Sequence, residues 1–255
     1  MDKKLIFFDI DSTIISYKNE EHIPEKTVSA IEQLKKNGHT IAIATGRSYY
    51  LSTDILDMMN IDYAVLHNGA QVVMCNESIY EKRIGKRLTK RMCNEIMKTT
   101  LSCFAFDGLY IYESNSSEES RDYIEKVSGR NDLIKPLWEL SNSIFSMNLF
   151  GDTTELFNLF KTIKSISVSD DLCDITSAGI SKGKGIRRLT RLLNMDMKDV
   201  ISVGDGINDL DMPKSSGVTI AVGNACNEFK DVADIVTDDI DDGGILNAFK
   251  KLKLI

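Results

Sequence analysis

Apolar positions in this chain come in short blocks, and the first, Leu5-Ile6-Phe7-Phe8, predicts a buried strand over 4–9. Pro24 then suits a first helical position, Val28, Ile31 and Leu34 keep helical spacing, and Gly38 closes the segment. A second apolar strand over 40–44 leads through Thr45-Gly46-Arg47 into a helix near 48–59, then a short strand over 63–66 and a turn at Asn68-Gly69. Strands and helices alternating through short connections predict a doubly wound parallel sheet.

The middle of the chain has another rhythm. A basic run over 82–91 (Lys82, Arg83, Lys86, Arg87, Lys90, Arg91) leads into a helix over 88–101. Phe104-Ala105-Phe106, Asp107-Gly108 and Leu109-Tyr110-Ile111-Tyr112 then read as a hairpin, because Asp-Gly suits a tight primed turn. A helix over 118–128, a strand over 144–150, a helix over 153–164 and a strand pair at 165–169 and 172–176 follow. Past Gly183 the first rhythm resumes: Ile186, Leu189, Leu192 and Leu193 mark a helix, Val200–Val203 a strand, 218–222 and 234–237 two more, with a short helix between and a last helix over 243–253. The chain thus reads as a Rossmann-like α/β core, 1–81 and 181–255, carrying an inserted α+β module at 82–180. Trp138, Phe104, Phe106, Tyr110 and Tyr112 are expected in the core of the insertion. The basic run is expected to be a solvated helix face, and the acidic stretch Asp231–Asp242 surface.

Composition narrows the function classes. The formal charge of −7 argues against nucleic acid or an anionic membrane as partner. No apolar run approaches the roughly 20 residues of a membrane span, and Asp9 and Asp11 interrupt the only N-terminal apolar stretch, so a cytoplasmic location is expected. The five cysteines are scattered, with no Cys-x-x-Cys pair, and predict neither disulfides nor a zinc site. His22, His39 and His67 lack ligand spacing.

Chemistry enters at the strand ends. In an open parallel sheet, ligands bind beyond the carboxyl ends of the strands. Three apolar strands here end in Asp9-x-Asp11-x-Thr13, Thr45-Gly46-Arg47 and Gly204-Asp205-x-x-Asn208-Asp209. If those strands are neighbours, four carboxylates meet at one edge. Two unit charges ~4 Å apart repel by roughly 4 kcal/mol at an effective dielectric of ~20, so a cation between them or a retained proton is required. Carboxylate oxygens suit a hard cation, magnesium first, and the hydroxyl, amide and helix-start donors suit an oxyanion. Together they point to phosphoryl chemistry. Lys182 opens the helix where the core resumes; alone it reads as a solvated helix start, but it could return to the same edge as a further cation.

These signatures, in this order, with Lys182-Gly183 between the second and last, resemble the four motifs of the haloacid-dehalogenase superfamily of phosphohydrolases. The long insertion, Asn68-Gly69-Ala70 and Gly223-Asn224-Ala225 resemble its Cof-like sugar-phosphate phosphatase branch. The resemblance implies Asp9 as nucleophile forming an aspartyl-phosphate and Asp11 as general acid and then base. It implies magnesium on the Asp9 carboxylate, the Asp11 carbonyl and Asp205, with Asp209 orienting that set. Thr45, Lys182, Asn208 and the amides of Ile10 and Gly46 would bind the phosphoryl oxygens, and Arg47 would touch substrate or tie core to cap, a plain salt bridge being the alternative. Ser12 departs from the Gly common in the family, and a Ser enters positive φ only at a cost. The implied activity is magnesium-dependent hydrolysis of small phosphorylated metabolites. A sugar phosphomutase or a phosphate-sensing module stays open beside it, as do the substrate and the oligomeric state. A dehalogenase would have no need of Asp11.

Overall fold

The structure, a computed structural model, describes residues 3–18, 21–128, 131–160, 163–167 and 172–255. The chain begins with β1 (Leu5–Phe8), α1 (Glu25–Lys36), β2 (Thr40–Ala44), α2 (Thr53–Met58), β3 (Tyr63–Leu66), β4 (Gln71–Met74) and β5 (Glu77–Glu81). It continues through α3 (Lys86–Ile96), β6 (Ser102–Phe106), β7 (Ile111–Ser114), α4 (Glu118–Ser128), β8 (Ile134–Pro136), β9 (Ser146–Phe150), α5 (Thr154–Leu159), β10 (Ile163–Ser167) and β11 (Leu172–Ser177). It returns with α6 (Lys182–Leu192), β12 (Val200–Gly204), β13 (Val218–Ala221), α7 (Asn227–Lys230), β14 (Ile235–Val236) and α8 (Gly244–Lys251).

Two sheets result. The first has eight strands in the order β14-β13-β12-β1-β2-β3-β4-β5. It is parallel from β14 to β3, as the sequence pattern predicts, and β4 and β5 extend it antiparallel. The β4–β5 hairpin was not predicted. Its turn residues Cys75 and Asn76 take φ of 50° and 65°, the left-handed pair a primed turn needs, yet without the glycine that usually announces one. Every residue of β1 is buried, as expected of a central strand covered on both faces.

The second sheet, the inserted cap, has six strands in the order β10-β11-β9-β6-β7-β8. Side chains of β6 alternate between two cores. Cys103 and Ala105 pack with Met92, Cys93 and Ile96 of α3, while Phe104 and Phe106 pack with Ile124 of α4 and with Leu51 of the first sheet's domain. The second of these faces is turned toward the core.

Several expected boundaries move. The helix over 48–59 is confined to Thr53–Met58, since Ser48 and Ser52 bond each other in the turn before it. The helix over 88–101 starts at Lys86 and ends at Ile96, and that over 153–164 ends at Leu159, with β10 already begun by Ile163. Positions 168–169 of the expected strand pair lie outside the described residues. The Asp107-Gly108 turn is longer than a primed pair: Asp107 Oδ1 accepts the amides of Leu109 and Tyr110 at 2.9 and 2.8 Å, and Gly108 takes φ of 98°. Strand β8 was also missed; its Pro136 suits the sheet edge it occupies. Trp138, expected in the cap core, is 75% exposed. It lies in a short 3-10 turn after Pro136, whose Leu137 takes the buried position instead.

Candidate active site

Strand β1 lies between β12 and β2, with Phe8 level with both Val203 and Ile43. Strands β2 and β12 each run one residue further, to Ala44 and Gly204, so the residues just past the three strand ends, Asp9, Thr45 and Asp205, gather at one edge of the sheet. The neighbourhood assumed from the sequence exists. Lys182 joins them, because α6 starts directly beneath. Gly185 passes so close to β3 that a Cβ there would stand 2.2 Å from Val65 Cγ1, and one on Gly183 would stand 2.5 Å from the Asp211 carbonyl. Ser181 caps the helix, accepting the Lys184 amide at 3.4 Å.

Lys182 is fully buried and reaches Asp9 Oδ2 at 2.8 Å and Asp209 Oδ1 at 2.7 Å. The other Asp209 oxygen accepts the amides of Asp205 and Gly206 at 3.0 and 3.1 Å, and Thr13 donates to Asp205 Oδ1 at 2.8 Å. Asp9, Asp205 and Asp209 each offer an oxygen within 4.8 Å of the others. One ammonium thus bridges two of the three carboxylates. Burial pushes Asp9 up to about 7, Lys182 opposing and the charges of Asp209 and Asp11 adding. Burial and the same crowd of carboxylates hold Asp205 well above the usual range. Asp9 Oδ1 is buried without a hydrogen-bond partner. An oxygen-only, under-neutralised cluster with an orphaned carboxylate oxygen fits a hard divalent cation. Of the three, Asp209 is the one whose two oxygens are both occupied, by Lys182 and by the amides of Asp205 and Gly206.

Asp11 is not part of that cluster. Its carboxyl points into the cleft, where Arg47 Nε and Nη2 donate to its two oxygens at 3.1 and 2.6 Å and Tyr17 donates as well. Burial works to raise it, but the Arg47 charge and these hydrogen bonds bring it below the ordinary carboxylate value. Arg47 thus forms a salt bridge with Asp11. Thr45 is fully buried and accepts the Arg47 amide at 3.1 Å; Ile10 is buried too, its carbonyl receiving the amides of Thr13, Ile14 and Ile15. Ser12 takes φ of 57°, the left-handed geometry that favours glycine, and Asn224 donates to its carbonyl at 2.6 Å.

Asp9, Asp11, Gly46, Arg47, Asp205 and Asn208 line a cleft of roughly 460 Å³ between core and cap. The cap supplies Phe106, Tyr123, Ile124, Asn148 and Asp174. Sequence reasoning missed Asn148 and Asp174. They stand opposite each other across β9 and β11, and Asn148 is also level with Phe104 on β6. Asn148 donates to Asp174 Oδ1; Asn68 of the core donates to Oδ2 at 2.8 Å and accepts from Asn208 at 3.4 Å. Burial pushes Asp174 up to about 6 against these donors and the charge of Lys182. The available signal was polar residues in alternation on two strands, Ser146 and Asn148, Asp174 and Thr176. His67, unassigned from the sequence, docks the cap: its Nδ1 meets Ser146 Oγ at 2.7 Å and its ring stacks on Phe145 at 4.8 Å. Burial, then the Arg83 charge, lowers it to about 3, so it is neutral. A second concavity, between Arg83, Lys86 and the Asp107–Leu109 loop, holds none of the motif residues.

The sequence profile of the haloacid dehalogenase-like hydrolases matches residues 6–249. The chain belongs to this family. A Bacillus subtilis (strain 168) member named "Putative phosphatase YkrA" is 32% identical over 267 residues, covering 100% of both chains. Among solved haloacid dehalogenase-like structures, the subclass IIB sugar phosphatase BT4131 superposes with a TM-score of 0.88 at 27% identity, over 99% of this chain and 100% of that one. A hypothetical protein from Geobacillus kaustophilus HTA426 superposes with a TM-score of 0.87 at 29% identity over the full length of both. The Rossmann-like core with an α+β cap is thus the fold of the family. Among the described residues no helix is long and apolar enough to cross a membrane.

Proposed function

We propose that this haloacid dehalogenase-like phosphatase hydrolyses small phosphorylated metabolites with magnesium, through an aspartyl-phosphate on Asp9. One observation carries the reading: the Asp9 carboxylate is held by Lys182 on one oxygen, its other oxygen is buried and unpartnered, and Asp205 and Asp209 each bring an oxygen within 4.8 Å of this carboxylate. Asp9, Asp205 and the Asp11 carbonyl would hold the cation, which when bound offsets the crowded carboxylates and the charge of the phosphoryl group.

An Asp9 oxygen attacks phosphorus in line as the bond to the leaving oxygen breaks. Lys182, Thr45, Asn208 and the amides of Ile10 and Gly46 surround the transferring oxygens with donors fixed before the reaction. Asp11 gives its proton to the leaving oxygen. It then takes one from the water that attacks phosphorus and releases Asp9 and inorganic phosphate. Arg47 and Tyr17 hold Asp11 as the carboxylate, the form the second step needs. An arriving phosphoryl group competes for the Arg47 guanidinium, and a guanidinium drawn away lets Asp11 take up its proton. Residues 82–180 form the lid that keeps bulk water from the acyl phosphate and admits small esters.

The test is phosphate release from small monoesters by the purified protein with magnesium. Excess chelator is expected to stop turnover, and Asp9→Asn, nearly isosteric, to abolish it without unfolding the protein. Full activity in chelator would remove the metal, and turnover by Asp9→Asn within tenfold of wild type would remove the nucleophile.

A further inference from the structure

The cap wall of the cleft carries a buried carboxylate that the phosphoryl chemistry does not use. Asp174 is 7% exposed and held on one oxygen by Asn148 and on the other by Asn68. Beside it the wall is apolar, formed by Phe106, Ile124 and, from the core, Leu51. Arg47 is the one cationic side chain among the described residues that line the cleft, and it grips Asp11. With the phosphoryl group at Asp9, a leaving group has to lie along this wall.

We propose that Asp174 selects monophosphates whose leaving group is an uncharged, hydroxylated carbon chain, and rejects those bearing a second anionic group. The inference rests on the phosphatase reading and adds its selection rule. A carboxylate has about four lone-pair sites, and the two amide donors leave room for a substrate hydroxyl. The Asn148 amide beside it offers both a donor and an acceptor to a neighbouring hydroxyl, while the apolar residues cover carbon. Among the described residues a second anion has no cation to meet on this wall. At ~6 Å from Asp174 and an effective dielectric of ~20, Coulomb's law makes its penalty about 100-fold in binding. Gly46 keeps the arrangement tight: a Cβ there would stand 3.2 Å from Asp174 Oδ2 and 3.3 Å from Asn68 Nδ2.

Sorbitol 6-phosphate and 6-phosphogluconate share one carbon frame and differ at the far end, a CH2OH in the first and a carboxylate in the second. Each is used to compete with p-nitrophenyl phosphate hydrolysis in saturating magnesium, so that its inhibition constant reads binding whether or not it is turned over. For wild type, 6-phosphogluconate is expected to compete about 100-fold more weakly. In Asp174→Asn the ratio is expected to fall below about tenfold, and Asn148→Lys, which sets a cation on the same wall, should narrow it independently. A cap merely loosened by substitution shifts both constants together. An unchanged ratio in the variants, or equal constants in wild type, would overturn the selection rule. Absence of magnesium-dependent p-nitrophenyl phosphate hydrolysis by wild type is a separate result: it ends the phosphatase reading, and this inference with it.

Discussion

Asp11 and Asp174 are both carboxylates in the same cleft, yet their surroundings push them in opposite directions. Asp11 is gripped through both oxygens by a guanidinium; among the described residues the hydrogen bonds to Asp174 come from neutral amides. The first difference bears on catalysis. Asp11→Asn is expected to cost about 10²–10⁴-fold with alkyl phosphates, whose leaving oxygen needs a proton. With p-nitrophenyl phosphate, whose phenolate leaves readily, the first step survives and the second stalls. Rapid mixing should then show a burst of nitrophenolate stoichiometric with enzyme, and an equal loss on both esters without a burst would contradict the assigned role. The second difference bears on stability. A carboxyl raised from 3.8 to about 6 in the folded protein binds its proton more tightly than the unfolded chain does. Stability from this group is therefore present at low pH and lost as pH rises from about 4 through about 6, on the order of 3 kcal/mol in full. Thermal unfolding of wild type and Asp174→Asn side by side should show wild type gaining several degrees on the variant between pH 7 and pH 5. A pH-independent difference would show that folding does not change the proton affinity of Asp174, its carboxyl being ionised over that range in the folded protein as in the unfolded chain.

At the scale of elements, α6 places the lysine that the sequence alone left ambiguous. Lys182 reads as a solvated helix start because a Lys before a Gly ordinarily is one. The glycines after it carry the missing information: Gly183 and Gly185 let the first turn of α6 sink between the Asp211 loop and β3, taking Lys182 under Asp9. Gly185→Ala forces a methyl against Val65 and is expected to destabilise the protein by about 1–3 kcal/mol. Denaturant unfolding measures that loss, and a midpoint unchanged from wild type would mean that β3 moves aside freely. The same contrast separates what was legible from what was not. Strands β1, β2, β3 and β12 announce themselves because each is a short, mostly apolar run, and the motif residues follow from their ends. Strands β4 and β5 hide because a Cys75-Asn76 turn lacks the usual glycine. Asp174 and Asn148 hide because a polar alternation normally marks a solvated face, whereas this face is covered by the core.

At the scale of the whole molecule, the cap and the catalytic edge are joined by short polar chains as well as by apolar contact. Asp174 of the cap touches Asn68, which touches Asn208 of the last motif, and His67 meets Ser146 on the same face. The position of β1 at the centre of the core sheet has a further consequence, for synthesis. Its partner β2 follows within a few tens of residues, but β12 comes only after the entire cap has been made. A nascent chain therefore carries Leu5-Ile6-Phe7-Phe8 with one edge open, and Asp9 without Lys182, through most of its elongation. Such an edge is a ready template for pairing with a neighbouring chain. The cap can close its own sheet in that interval, whereas the catalytic edge comes into being only when the last third of the polypeptide arrives.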